Sequence, residues 1–369
     1  MPELADVFRR HGPEYRERYA GKILPSQIRA MRDIEHCRTE TMGGHAYLCP
    51  DEDCGHVVYS YHSCKNRHCP KCRNEEAETW LRKQQDKLLP VSHFLVTATL
   101  PAELRQLARL HQKIVYAILF KASAAALMKL ACDSRFIGGE IAMTGVLHTW
   151  DRAGGYHPHV HYLVPAGGLS PDHSQWRSAK SNFLIRVELI SAIFRAKFRD
   201  LLKRTGLFEL VPSQAWSKDW IVHCKSVGSG HQALRYLARY LFRVAIANSR
   251  IVAVDDEHVL FRCQDAKSGK WRLRKLPPLT FIHRFLQHVL PKGFQKVRYY
   301  GLLSPRKKPL RAVARYILRA DTGQEKKPAP AKPKPCCPKC GSTLLLVGRI
   351  GPASYQQARA IPQGRAPPV

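Results

Sequence analysis

HPHVHYLVPAGG, residues 157–168, sets three histidines at alternate positions and then runs into apolar residues and paired glycines. Side chains alternate across a β-strand, so in an extended chain His157, His159 and His161 share one face. Val160, Tyr162, Leu163 and Val164 flank them and favour a strand. Three imidazoles crowded together repel when charged and pack poorly when neutral. Neutral imidazole is also the commonest metal ligand. The stretch therefore reads either as a wet polar face or as a metal site, and the remaining sequence has to decide.

The chain of 369 residues is long enough for two or three domains, and its hydrophobic content of 44% is that of a folded protein. Sixty Lys and Arg stand against 29 Asp and Glu, a net charge of +31. Self-repulsion on that scale calls for a polyanionic partner, nucleic acid first and an anionic membrane surface second. No uninterrupted apolar run approaches the ~18 residues of a membrane span. The start, MPELADVFRRHGPEYRERYAGK, lacks the apolar segment of a signal peptide. A cytoplasmic location is expected, where clustered cysteines bind metal more often than they form disulfides.

Of the 12 cysteines, Cys37, Cys49, Cys54, Cys64, Cys69 and Cys72 fall in one block. Cys69-Pro-Lys-Cys72 is a tight zinc knuckle, and Cys49 and Cys54 form a looser pair with PDED between them. The two pairs together would supply one site of four thiolates. Cys37 and Cys64 would then join one or two of His36, His45, His56, His62 and His68 in a second site. One or two structural zinc ions are expected, and they would supply the folding energy of a segment too short for a core of its own. Lys65, Arg67, Lys71 and Arg73 interleave with these ligands.

Residues 93–100 read as a strand ending at Pro101, and residues 103–132 have helical spacing. EIAMTGVLHTW (140–150), the Gly-rich turn DRAGGY and the histidine stretch make an antiparallel hairpin. That hairpin sets Glu140 and His148 beside the histidines as further candidate ligands. Residues 178–204 read as a basic helix, and WIVHCKSVGSG (220–230), with Lys225, as a strand. In HQALRYLARYLFRVAIANSRI, Leu234, Leu237, Leu241 and Ala245 form an apolar helical stripe. Tyr236 and Tyr240 are one turn apart and lie well off that stripe, next to Arg235, Arg239 and Arg243. Residues 251–276 alternate as strands, FIHRFLQHVL is a short helix, and VRYYGLL closes the folded part. From Thr322 the chain turns to Pro and Lys, then reaches Cys336-Cys337-Pro338-Lys339-Cys340-Gly341. This half of a zinc ribbon has no evident second half, and it reads as a vestigial or partner-dependent knuckle in a loose tail. No phosphate loop for ATP is present in the sequence.

A histidine strand, paired tyrosines beside arginines, a zinc knuckle and a very basic surface meet in one chemistry. A divalent metal polarises a scissile phosphate, and a tyrosine oxygen attacks it in line to give a phosphotyrosine and a free 3′-hydroxyl. A second tyrosine one turn away allows a second cut while the first strand is still held. On RHCPKC, HPHVH with LVPAGG, RYLARY…RVAIANSRI and HVLPKGFQKVRYYGLL, residues 10 to 305 resemble the two-tyrosine rolling-circle transposases of bacterial insertion sequences. These lie within the His-hydrophobic-His (HUH) endonuclease superfamily.

The resemblance implies an α+β fold, a central antiparallel sheet flanked by helices, with the histidines on a middle strand and a small zinc-binding domain before it. It implies that His159 and His161 bind Mg²⁺ or Mn²⁺, with His157 as third ligand, and that Tyr236 and Tyr240 are the nucleophiles. Arg235, Arg239, Arg243 and Lys225 are the expected phosphate contacts. The implied partners are single-stranded DNA at the element's ends and target DNA, with no membrane and no ATP, in the bacterial cytoplasm at the nucleoid. The expected divisions are 1–90 (N-terminal helix and zinc-binding DNA recognition), 91–320 (catalysis) and 321–369 (linker and tail with a partial knuckle). The competing reading is a catalytically inactive zinc-ribbon nucleic-acid binder descended from such an enzyme. A triple-carboxylate nuclease finds no convergent acids here; Asp255-Asp256-Glu257 sits in a turn.

Overall fold

The computed structural model of the chain describes residues 2–72, 74–151, 154–180, 184–242, 246–265, 268–319 and 334–352. The chain opens with α1 (Leu4–Arg18) and α2 (Pro25–Glu35), then a hairpin of β1 (Gly44–Leu48) and β2 (Val57–Tyr61), then α3 (Asn74–Gln85). Next come β3 (His93–Thr99), α4 (Arg105–Leu110) and α5 (Gln112–Ala131). The hairpin β4 (Ala142–Trp150) and β5 (Tyr156–Pro165) leads to the short β6 (Gly167–Leu169) and β7 (Trp176–Ser178). α6 (Val187–Lys203), the single turn α7 (Gln214–Ser217), β8 (Val222–Ser226) and α8 (His231–Phe242) follow. A meander of β9 (Ile251–Val254), β10 (Val259–Gln264) and β11 (Trp271–Leu276) precedes α9 (Pro278–Leu286) and β12 (Val297–Gly301). α10 (Lys308–Ile317) and β13 (Leu345–Ile350) come last.

The largest sheet has the order β12-β4-β5-β3-β8, and every neighbouring pair is antiparallel. The histidine strand β5 is its middle member. Alternation along the strands gives the sheet two different faces. Phe94, Val96 and Ala98 of β3, Met143 and Leu147 of β4, and Val160, Tyr162 and Val164 of β5 pack in one core with residues of α5 and α6. Gly145 makes room for Tyr162 there: a Cβ at this position would lie 2.7 Å from the tyrosine ring. The Tyr162 hydroxyl then donates to the Phe120 carbonyl at 3.1 Å. α5 is apolar over most of its surface and buries it in this core, with Lys113, Lys121 and Lys129 exposed. By length and apolarity it could also cross a membrane, but here most of it is buried under the sheet and α6.

The opposite face carries Leu95, Val146, Leu163 and Val297, which pack with Ala233, Leu234 and Leu237 of α8 and with Trp80 and Leu81 of α3. His148, His159 and His161 belong to this face, beneath α8. A second core joins Leu4, Val7 and Phe8 of α1 and Met31 and Ile34 of α2 to Ile251 of β9, Phe261 of β10 and Phe281, Ile282 and Phe285 of α9. The Phe8 and Phe285 rings meet edge to face with centroids 5.5 Å apart.

The segments expected from composition are therefore interleaved. The N-terminal helices share a core with residues 246–289, and the tail strand β13 pairs antiparallel with β1 in a β13-β1-β2 sheet. Neither a loose tail nor an end of the folded part at VRYYGLL is what the structure has. The Pro/Lys stretch before β13 lies mostly outside the described residues.

A candidate metal and tyrosine site on the central sheet

β4 and β5 place His148 directly opposite His159, and His161 follows two residues on, opposite Val146. The three rings form a compact group, with centroids 4.4 Å apart for His148 and His161, 4.8 Å for His159 and His161 and 5.2 Å for His148 and His159. One ring nitrogen from each lies within 4.8 Å of the others. Burial pushes all three pKa values down, that of His159 to about 4, so at neutral pH the three rings are uncharged imidazoles.

For His159 a neighbouring bond fixes which nitrogen carries the lone pair. His159 Nδ1 is 2.6 Å from the His157 carbonyl oxygen, which can only accept, so Nδ1 carries the proton and Nε2 the lone pair. His161 Nδ1 is 2.7 Å from the Thr97 hydroxyl across the β3–β5 pairing, and its Nε2 is buried with no hydrogen-bond partner among the described residues. A buried nitrogen with no hydrogen-bond partner among the described residues, facing two other neutral imidazoles, has the chemistry of a metal ligand. These residues fit a divalent cation.

His157, the third ligand expected from the sequence, is not part of this group, although its ring centroid is 5.2 Å from that of His159. The pairing of β4 with β5 shifts register between His148 and Trp150, just where His157 would have followed the alternation. Its Nδ1 accepts a hydrogen bond of 2.7 Å from the Arg105 guanidinium, so its lone pair is used and a fixed cation stands beside it. The third imidazole of the group is His148. Glu140, the other candidate on β4's approach, is 2.7 Å from Lys307 Nζ and pairs in a bridge with Leu169.

α8 crosses this face with Leu234 and Leu237 buried against the sheet. Tyr236 therefore sits at the rim, 38% exposed, with its ring centroid 5.9 Å from that of His161 and 6.3 Å from that of His148. Tyr240 follows one turn later on α8; its side chain and that of Arg239 lie outside the described residues, as does all of Arg243. Arg235 is exposed on α8. Lys225 of β8 is exposed and paired with Leu95, which puts it on the histidine face of the sheet.

Residues unmarked in the sequence complete the surroundings. Thr97 orients His161. Trp150 lies parallel to the His148 ring at 6.1 Å, and Lys296 stands over Trp150 at 4.8 Å. Further away, Arg250, Arg262, Arg274 and Arg284 line one cleft with Phe261 and Phe285, and burial with Arg274's charge lowers the pKa of Arg284. These arginines are spread over residues 250–284, and only the fold of the β9–β11 meander against α9 brings them together.

The cysteines group differently from the expected pairs. Cys37, Cys64, Cys69 and Cys72 form one cluster, in which the sulfurs of Cys37 and Cys72 are 3.5 Å apart and those of Cys64 and Cys72 3.7 Å. Cys49 and Cys54 are not with Cys69 and Cys72; they lie beside Cys337 and Cys340 of the tail. No histidine joins either cluster among the described residues, and His68 Nε2 instead accepts the Leu290 N–H at 3.2 Å. Sequence proximity set Cys49 and Cys54 with Cys69 and Cys72, whereas the cysteines grouped with Cys49 and Cys54 come almost 300 residues later. A soft tetrathiolate set such as Cys37, Cys64, Cys69 and Cys72 suits a structural zinc ion.

Residues 142–309 match the family described as "Putative transposase", and residues 7–100 match the family described as "Transposase zinc-binding domain". The chain is 38% identical over 325 residues to "Putative transposase y4qJ" of Sinorhizobium fredii, covering 83% of this chain and 81% of that protein. It is 27% identical over 303 residues to the "Transposase for insertion sequence element IS801" of Pseudomonas savastanoi pv. phaseolicola, covering 78% of this chain and 72% of that one. No solved structure matches the chain. The β4–β5 histidine hairpin and the α8 tyrosines fall inside the first matched region and the cluster of Cys37, Cys64, Cys69 and Cys72 inside the second, so the chain belongs to the insertion-sequence transposases that carry an N-terminal zinc-binding domain, and it acts in DNA transposition.

Proposed function

We propose that this transposase nicks and rejoins single-stranded DNA at the ends of its element through attack by Tyr236 and Tyr240. The observation that carries the reading is the position of Tyr236, at the rim of the three-imidazole group and open to solvent. A divalent cation held by His148, His159 and His161 would polarise the scissile phosphate and offset the charge on the leaving oxygen. Tyr236 Oη attacks phosphorus as its proton passes to water; the bond from phosphorus to the 3′ oxygen breaks, and that oxygen takes up a proton from water to leave as a 3′-hydroxyl. The 5′ phosphate stays on the tyrosine, which conserves the energy of the broken ester. Attack by another 3′-hydroxyl reverses the step and joins a new strand. Tyr240, one turn along the same helix, repeats the cut on a second strand while the first is held. Arg235, Arg239, Arg243 and Lys225 contact phosphates beside the reacting one.

Three imidazoles with no carboxylate form a donor set that prefers Mn²⁺ to the harder Mg²⁺. The test is a denaturing gel of the purified protein with single-stranded DNA from the element's end, with Mn²⁺, Mg²⁺ or EDTA. A covalent protein–DNA adduct should form, more with Mn²⁺ than with Mg²⁺, and vanish with EDTA. Tyr236→Phe and Tyr240→Phe should each change the product pattern, and the double variant should form none. DNA binding without any adduct in the unaltered protein would overturn the proposal in favour of an inactive DNA binder.

A further inference from the structure

We propose that Cys49, Cys54, Cys337 and Cys340 hold a second zinc ion, and that this ion fastens the C-terminal segment 334–352 onto the N-terminal hairpin. The tail's half-ribbon finds its other half in the loop between β1 and β2.

The four sulfurs lie within 4.8 Å of one another. Across the two segments, Cys49 and Cys340 are 3.3 Å apart and Cys54 and Cys337 are 3.7 Å apart. Those separations are far beyond a disulfide's roughly 2.05 Å. They approach the edge of a zinc tetrahedron, where sulfurs about 2.3 Å from the ion stand roughly 3.8 Å from each other.

Each pair also sits on a turn built for ligation. In the first, the N–H groups of Cys54 and Gly55 both donate to the Asp51 carbonyl at 3.0 Å; in the second, Gly341 N–H donates to the Cys337 carbonyl at 2.9 Å. A glycine follows the last cysteine of each pair in the left-handed region, Gly55 at φ 48° and Gly341 at φ 81°. That backbone lets the chain turn away behind the second sulfur, where a side chain would be strained. The four residues between Cys49 and Cys54 do not spoil the knuckle, because this turn absorbs them.

The backbone around the cluster is fitted to the tail as well. β13 pairs with β1 from Gly44 opposite Ile350 to Leu48 opposite Leu345. A Cβ on Gly43 would lie 2.7 Å from the Ile350 carbonyl, and Gly43 itself is at φ 65°. The close approach is thus written into the N-terminal segment. What the joint lacks is apolar mass: Cys49, Cys337 and Leu344 form its small buried cluster, Ala46 of β1 adds one methyl group, and Leu345, Leu346 and Val347 remain exposed. A contact this thin needs a bond from elsewhere, and metal binding in such small modules supplies folding free energy directly. Zinc in a four-thiolate cage is the ion that this donor set selects over harder cations.

The test uses the full chain under reducing conditions, with a protease recognition site placed in the Pro/Lys-rich stretch 322–335. Native mass spectrometry should find two zinc ions in the unaltered protein and one in the Cys337→Ser/Cys340→Ser variant, while Cys340→His, which keeps a ligand, should restore the second. After cleavage, the C-terminal piece should co-elute with the rest and be released by a chelator. In the double serine variant it should separate at once. One zinc ion in the unaltered protein, two in the double serine variant, or a tail that stays bound in both after chelation would each overturn the proposal.

Discussion

His157 and His159 stand two residues apart on one strand and end with different chemistry. His159 donates its Nδ1–H to a carbonyl and keeps its Nε2 lone pair available to a metal; the His157 Nδ1 lone pair accepts from Arg105. The alternation of His159 and His161 was readable in the sequence because it depends only on the two-residue period of a strand. The third imidazole of the group was not, because it depends on where β4 meets β5. Sequence left Glu140 and His148 equal, and only the pairing of His148 with His159 separates them. His148→Ala is expected to weaken Mn²⁺ binding at least ~10-fold and His157→Ala to leave it within about threefold, read by isothermal titration. Thr97→Val should fall between them, at the lower end of the ~10–100-fold effect of losing a group that orients a ligand. Equal losses in His148→Ala and His157→Ala would mean that both rings, or neither, hold the ion.

α8 is the element on which the site depends most. Its apolar stripe was legible at helical spacing, and Leu234 and Leu237 are buried as that spacing requires, at 1% and 0% exposure. The face they cover was not legible, since a helix's own sequence does not name the sheet beneath it. Leu237→Ala should cost about 2–5 kcal/mol of stability by opening a cavity between helix and sheet, seen in chemical denaturation. Because that contact also fixes Tyr236 over the histidines, adduct formation should fall with it even at temperatures where the protein stays folded. Arg235→Ala touches no core. Its melting temperature should hold, while the slope of log affinity for single-stranded DNA against log salt should shrink by roughly one contact's worth, about 0.7.

At the scale of the whole molecule, burial of histidine outside the site sets a limit on acid stability. His93 is 2% and His288 4% exposed, and burial lowers each pKa from 6.5 to about 4. Between those values the unfolded chain binds protons that the folded chain refuses, so stability falls as pH drops from about 6.5 toward 4 and is unaffected by these rings above that window. Each ring costs on the order of 3 kcal/mol once the window is crossed. Unfolding free energies at pH 7 and pH 5 should differ accordingly, and His288→Asn, which takes up no proton there, should reduce the difference. A flat profile would mean that the rings are solvated. The same scale explains why the cysteine pairs were misread. Composition divides the chain into successive blocks, whereas the fold returns residues 246–289 and 334–352 to the N-terminal segment, and nothing local announces such a return.

The pairing of β1 with β13 also has a consequence in time. A ribosome makes β1 about 300 residues before β13, and at ~5–20 residues per second the gap is roughly 15 to 60 s. Through that interval the hairpin has an open edge and two thiols of a four-thiol set. A chain that stops before β13 never closes that edge, so the sheet that begins with β1 becomes whole only after β13 has been made.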